Sequence, residues 1–299
     1  MIICDKVSKF ILQNIDLHVP QGISLGIIGA SGAGKTTFLK LVSGLLQTDS
    51  GFVRTLRLDP LKNRKALASR ISVLFSDVPL YDDRLSIKVC LEEMKSIYGI
   101  EEKLFSERLC YVSQVLGFAE FLNSNIKGLS LGQRRRAELG MAFLRDADLY
   151  LFDEPCIGLD QNGKAAFYKL VEEKKTEGKT VLISSHSIED ITALADRILL
   201  LDEGKLAFYG SEEEMHKRLA PMEESFIELE GQLPDISELE VERYFVEKDK
   251  MTIRYNSNHV STKELLERIC ESSKIKSVSV RKADLAESIK SIKSRRKDV

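Results

Sequence analysis

Apolar residues recur along this chain in two kinds of spacing, and the spacing lays out most of the elements. Residues 11–19 alternate apolar and polar and are stopped by Pro20-Gln21-Gly22, so residues 1–22 read as short strands with a turn. Four short continuous apolar runs follow, at 23–28, 71–75, 148–152 and 180–185, each of strand length. Runs of that kind with helical patterns between them predict a parallel sheet buried on both faces, and hence an α/β fold. A helix is expected from Phe38 to Val42, then a turn at Thr48-Asp49-Ser50-Gly51 and a strand over 52–58. The helical period dominates residues 86–121, with Val89, Leu91, Met94, Ile97 and Tyr98 on one stripe and Leu109, Val112, Val115 and Leu116 on another. Further helices are predicted over 134–139, 163–177 and 188–195, and a hairpin over 198–209 turning at Asp202-Glu203-Gly204-Lys205.

Past Pro221 the pattern changes. Acidic and polar residues dominate 222–240, broken by Gly231 and Pro234, which reads as a linker over 221–240. Beyond it, 241–246 and 251–255 flank Glu247-Lys248-Asp249-Lys250 as a hairpin, with a helix over 262–272, a strand over 275–280 and a last helix over 284–294. That order, ββαβα, describes a small α+β domain at 241–299, at roughly 60 residues marginal by itself. The basic end, 290–297, reads as a solvated tail or, alternatively, as a contact with an anionic membrane surface.

Composition narrows the class. The chain has 299 residues, 43% hydrophobic and 30% charged, enough for one full domain and a smaller one. A formal net charge of −2 argues against a general nucleic-acid binder. Its five cysteines are scattered without a C-x-x-C pair, which points to reduced thiols rather than disulfides or zinc. No apolar run approaches the roughly 18 residues of a membrane span, and the first residues lack the arrangement of a signal peptide.

The strongest chemical signal is Gly29-Ala30-Ser31-Gly32-Ala33-Gly34-Lys35-Thr36-Thr37, which fits G-x-x-x-x-G-K-[ST] between an apolar strand and a helix. In that context backbone N–H groups from Gly32 to Thr37 would line a nest for phosphate at the helix N-terminus. Lys35 would reach the β- and γ-phosphates, and the Thr36 hydroxyl would ligate Mg²⁺. The strand at 148–152 delivers two adjacent carboxylates. Asp153 can hold Mg²⁺, and Glu154, projecting to the other side of an extended chain, can orient or deprotonate an attacking water. The strand at 180–185 ends at His186, where open α/β sheets bind their ligands. Phe10, upstream of the loop, would either stack on a purine or pack in the core. Gly128-Leu129-Ser130-Leu131-Gly132-Gln133 opens a helix and offers a second anion site. The Arg134-Arg135-Arg136 run after it reads as a solvated helix face with one internal contact.

In this order the motifs resemble the ATP-binding subunit of an ATP-binding cassette (ABC) transporter, over about residues 1–215. Gly29 to Thr37 is similar to the Walker A loop, residues 129–133 to the LSGGQ signature with Leu131 replacing its first Gly, and 148–153 to Walker B. Glu154 looks like the catalytic glutamate, Gly158-Leu159-Asp160 like the D-loop, and His186 like the H-loop histidine. The resemblance implies a P-loop NTPase-type three-layer core with an N-terminal antiparallel β subdomain and a helical subdomain at about 77–145. The cassette would fill residues 1–220. It also implies that two cassettes sandwich two ATP molecules, with Ser130, Gly132 and Gln133 capping the γ-phosphate held by the opposite subunit. A separate transmembrane permease would be the second partner. The chain would then be cytoplasmic, peripheral on the inner face of the cell membrane, and in contact with the membrane only through that partner. The LSLGQ variant, residues 73–77 and the C-terminal domain are together similar to the drug- or polysaccharide-exporter branch. Where the family has a glutamine after the strand ending at Phe75, this chain offers Ser76 or, one residue on, Asp77 as the metal contact. A soluble, non-transport ABC-type ATPase is the alternative. A P-loop kinase or GTPase would leave residues 130–133 and His186 unexplained.

Overall fold

The computed structural model describes residues 1–77, 82–231 and 233–294, which fall into two units, Met1–Gly210 and Ser211–Val299. The first unit opens with strands β1 (Ile2–Lys9), β2 (Leu12–Val19) and β3 (Ser24–Ile28), then helix α1 (Lys35–Val42) and β4 (Ser50–Thr55). After α2 (Arg64–Ala68) and β5 (Ile71–Leu74) come α3 (Ile87–Tyr98), α4 (Glu102–Leu116) and α5 (Leu131–Leu144). The unit closes with β6 (Leu149–Asp153), α6 (Gln161–Thr176), β7 (Thr180–Ser185), α7 (Ile188–Leu194), β8 (Arg197–Asp202) and β9 (Lys205–Gly210).

Two sheets result. In the smaller, β1 pairs antiparallel with β2 and β4. In the larger, the order is β5-β6-β7-β3-β8-β9, parallel except for β9. Strands β3, β6 and β7 are buried at every position, the consequence of unbroken apolar runs covered on both faces, whereas β2 buries only alternate or near-alternate residues. Phe143, Tyr150, Phe152 and Phe167 interlock beneath α5 and α6 with ring centroids 5.2–6.2 Å apart. Each such ring withdrawn from water stabilises the fold by about 2 kcal/mol. The helical stretch predicted over 86–121 is two helices, broken at Gly99-Ile100 and held at the first end by Ser86, whose hydroxyl accepts from Val89 N–H. Of the segment about 77–145 expected as a helical subdomain, residues 78–81 lie outside the described residues.

The second unit corrects the linker reading. Residues 222–231 form strand β10 (Met222–Gly231), which follows α8 (Glu212–Leu219), and the unit begins at Ser211 rather than beyond 220. It continues through β11 (Val241–Glu247), β12 (Lys250–Asn256), α9 (Thr262–Cys270), β13 (Ser273–Lys282) and α10 (Leu285–Ser294). In the antiparallel order β11-β12-β10-β13, β10 is an inner strand, paired on both sides. The reason lies in a period that average composition hides. Ser225, Ile227 and Leu229 point into a core with Met251, Ile253, Tyr255, Leu265 and Ile269, while Glu224, Phe226, Glu228 and Glu230 take the other face. No helix among the described residues is long and apolar enough to cross a membrane. Of the basic end, residues 295–297 lie outside the described residues.

Candidate functional site: a nucleotide site at the strand ends

The parallel register of β3, β6 and β7 brings three sequence-distant segments to one edge: Ile28 lies opposite Ser185, and Asp153 opposite Ser184. The loop after β3 is shaped by its glycines. Gly29 lies so close to Leu201 that a Cβ would stand 2.5 Å from the Leu201 carbonyl oxygen. Gly34 has φ +104 and precedes α1, where a side chain would be strained and would strike Leu12 at 2.5 Å. Ser31 and Gly32 are exposed at the tip, and a Cβ on Gly32 would meet nothing within 4 Å. The loop therefore curls tightly around open space. Ala30 and Ala33 close it through an N–H···O bond of 3.1 Å, and the first turn of α1 presents N–H groups with no carbonyl four residues back. Lys35 is buried and folds its ammonium over the loop, donating to the carbonyls of Gly29 (2.9 Å) and Ala30 (3.2 Å), with Glu154 Oε1 3.5 Å away. Thr36 and Thr37 lie half-buried in the first turn.

Asp153 is fully buried, and three hydroxyls converge on it. Thr36 and Ser76 each donate to Oδ2 at 2.8 Å, and Ser184 to Oδ1 at 2.5 Å. A carboxylate without water needs such donors, since one left unpaired there costs several kcal/mol. Glu154 departs from the extended-chain expectation. Its φ is +50, so the chain turns immediately after Asp153 instead of continuing the strand. That conformation costs about 1–2 kcal/mol in a residue with a Cβ. It is held by the Glu154 N–H, which donates to both the carbonyl and the hydroxyl of Ser184 at 3.1 Å. The turn brings Glu154 Oε2 to 2.9 Å from His186 Nδ1, while His186 itself is largely exposed.

Not every expected residue joins this cluster. Asp77 does not: its carboxylate is paired with Lys40 Nζ at 2.5 Å, on α1, and half exposed. Ser76 takes the place beside Asp153, because the lysine on α1 draws Asp77 aside while the preceding hydroxyl reaches the buried acid. Phe10 is not a core residue. It is 72% exposed in the turn between β1 and β2, with Lys9 Nζ 4.6 Å from its ring centroid. Ser130, Gly132 and Gln133 stand apart from the loop at 29–37. Ser130 caps α5, accepting from Gln133 N–H at 3.3 Å, and Gln133 Oε1 accepts from Ser130 N–H at 2.9 Å. Among the described residues no hydrogen bond links 130–133 to 29–37. Leu131 is exposed beside Gly158, and a Cβ on Gly158 would lie 2.7 Å from Leu131 Cγ.

The arginine run is not a solvated face. Arg134 and Arg135 both reach Glu138 at 3.1 Å, and Arg136 joins α5 to Asp160 Oδ1 (2.5 Å) and the Leu116 carbonyl (2.7 Å). The Gly163 N–H, then Arg136, hold the Asp160 carboxyl below the usual carboxylate range. Sequence reasoning passed over Ser184 as part of an apolar strand. A hydroxyl pair, Ser184-Ser185, closing an apolar run was the available signal.

A glycine-rich loop at a helix N-terminus on a parallel sheet, beside a buried Asp and a Glu–His pair, is the arrangement of a candidate phosphate site. Residues 12–157 match the ABC transporter family. The chain is 31% identical over 212 residues to the ABC transporter ATP-binding protein NatA of Bacillus subtilis, covering 71% of this chain and 86% of that protein. It is 28% identical to the linearmycin resistance ATP-binding protein LnrL of the same organism, over 71% of this chain and 68% of LnrL. It is 29% identical to the energy-coupling factor transporter ATP-binding protein EcfA2 of Thermotoga maritima, over 89% of this chain and 94% of that protein. Its fold is shared with the solved ATP-binding subunit of an ABC transporter, with a TM-score of 0.68 at 22% identity over 73% of this chain and 92% of that one. The chain belongs to the ABC transporter ATP-binding family. It is an ATP-binding subunit and an ATPase.

Proposed function

We propose that this subunit hydrolyses ATP with Glu154 as the base that orients and deprotonates water, and that it does so paired with a second cassette to drive a separate transmembrane permease outward. The observation that carries the reading is the Glu154 carboxylate, bridging His186 Nδ1 (2.9 Å) and Lys35 Nζ (3.5 Å) one residue after the buried Asp153. Phosphates entering the loop would displace Lys35 from the carbonyls of Gly29 and Ala30, so its charge would meet the β- and γ-oxygens. His186 Nδ1, 2.9 Å from Glu154 Oε2, would help hold that carboxylate in place.

The donor set fits Mg²⁺: Asp153, Thr36 and Ser76 offer only hard oxygens, clustered on one buried carboxylate. Among the described residues no group of three or more His, Cys, Asp or Glu forms a cage, so phosphate oxygens and water would complete the shell. Bound there, Mg²⁺ would neutralise charge on the transferred phosphoryl group.

Pairing with a second cassette is supported by Ser130, Gly132 and Gln133, whose helix terminus, among the described residues, makes no hydrogen bond to the loop at 29–37. Offered across an interface, it would cap the γ-phosphate held by the partner, and nucleotide-driven closure would be the stroke transmitted to the permease. The outward direction rests on likeness to the exporter branch and to a resistance protein's cassette. A second reading, an energy-coupling-factor type of transporter, is favoured by the length of the EcfA2 match, 268 residues. Glu154→Gln tests the chemistry: ATP binding should persist while turnover falls by about 100-fold or more. Full activity in that variant would refute the mechanism. The membrane protein that co-purifies with the chain, reconstituted in vesicles, decides the direction of transport.

A further inference from the structure

The catalytic reading uses Glu154 and His186 but leaves a second buried acid unexplained. Asp190, 5% exposed in the first turn of α7, accepts from Lys164 Nζ at 2.7 Å and from Tyr168 OH at 2.6 Å, both on one face of α6. The Cys156 thiol, from the turn that follows Glu154, is buried beside it, near enough for the Asp190 charge to act on the thiol. Burial, then the Asp190 charge, push that thiol up to about 12, so Cys156 stays protonated. One carboxylate, carried by α7, thus takes two donors from α6 and stands beside the turn after β6.

Each tie continues to a residue of the site. On one side, Asp190 N–H donates to Ser187 Oγ (3.1 Å) and Ser187 N–H to Ser185 Oγ (3.0 Å), which fixes the backbone on either side of His186. On the other side, Ile157 N–H donates to the Glu154 carbonyl (3.3 Å) and Leu159 N–H to the Cys156 carbonyl (3.1 Å), so the turn that sets Cys156 beside Asp190 is the one that contains Glu154. Glu154 occupies a left-handed conformation that persists only where its surroundings over-determine it. For packing α6 on α7 alone, an apolar pair would serve as well or better, because a buried ion pair returns little net stability. What the charge supplies is direction: it sets where two donors must stand.

We propose that Asp190 is a positioning residue, which sets the approach of His186 to Glu154 by tying the backbone segments that carry them to a common anchor on α6. The inference rests on the assignment of Glu154 and His186 to hydrolysis. Steady-state ATPase measurements on the full chain, or on the chain with its membrane partner, test it. Asp190→Asn keeps the shape and removes the charge; kcat should fall about tenfold with the KM for ATP within about twofold, and Asp190→Glu should recover part of the loss. Tyr168→Phe, a milder change that keeps the fold if Asp190→Asn does not, should lower kcat about threefold at unchanged KM. In a His186→Ala background, Asp190→Asn should cause no further loss, since the geometry it maintains no longer has its second member.

Unchanged kcat in Tyr168→Phe and Asp190→Asn would overturn the proposal. So would a rise in KM matching the fall in kcat, or a full additive loss in the His186→Ala background. Failure of the underlying assignment is separately visible: Glu154→Gln would then retain turnover in the otherwise unaltered chain.

Discussion

The two units solve the same problem, a sheet covered by helices, with opposite policies toward buried charge. The cassette unit takes Lys35, Arg135, Glu138, Asp153 and Asp190 out of water, together with a left-handed Glu154. In the C-terminal unit the buried polar residues among those described are Ser225 and Ser273, and its core is otherwise aliphatic around Tyr255. That tyrosine is satisfied by neutral partners, Ser225 at 3.1 Å and Thr262 at 2.9 Å, and by Glu223 at 3.1 Å. Buried ions are poor stabilisers, so their concentration in one unit marks where chemistry rather than folding selected the residues. The C-terminal unit has the interior of a module built for stability.

The contrast can be broken at either end. Lys35→Ala should have the largest effect: it removes the ammonium that would leave the loop carbonyls for phosphate, and ATP affinity should fall about 100-fold while the melting profile changes little, measured by nucleotide titration. Ile253→Ala, fully buried in β12, should do the reverse. It should cost about 3 kcal/mol in the unfolding of the C-terminal unit, seen in urea denaturation, with ATPase kcat per folded molecule unchanged. A large loss of kcat there would show that the second unit takes part in the chemistry.

Ser76→Ala is subtler. It deletes one of three donors to Asp153, and should weaken Mn²⁺ binding, read by electron paramagnetic resonance in the presence of nucleotide, by about threefold to tenfold. The smallest effect belongs to His216 on α8, whose pKa is lowered by burial, then by Lys282, and whose Nδ1 is buried without a partner. A depressed pKa means the unfolded chain binds the proton first. The stability held by the neutral imidazole is therefore complete above about pH 6.5 and declines as pH falls below it. The urea midpoint of the C-terminal unit should drop modestly between pH 7.5 and about 5.5, and His216→Gln should flatten that dependence.

Much of this was legible without coordinates. The phosphate loop, the Asp153-Glu154 pair and His186 carry their meaning in local spacing, because phosphate recognition uses backbone N–H groups whose placement a short glycine-rich segment dictates. The parallel strands were equally plain, since unbroken apolar runs have few other uses at that length. The linker failed for the opposite reason. Strand β10 follows a period of two that its glutamates conceal, and only its pairing with β12 and β13 shows which face is buried.

By itself, then, the sequence determined that a glycine-rich loop would close one parallel strand and that two adjacent acids would close another. Tertiary structure decided which neighbours share those acids. It placed Ser76 rather than Asp77 on Asp153, turned Glu154 back toward His186, drew all three arginines of α5 into internal pairs, and joined Lys164 and Tyr168 on Asp190. The physical reason is range. A phosphate nest is made within a few consecutive residues, whereas partners for a buried charge come from whichever segments the sheet order brings to its side, and no local pattern encodes that choice.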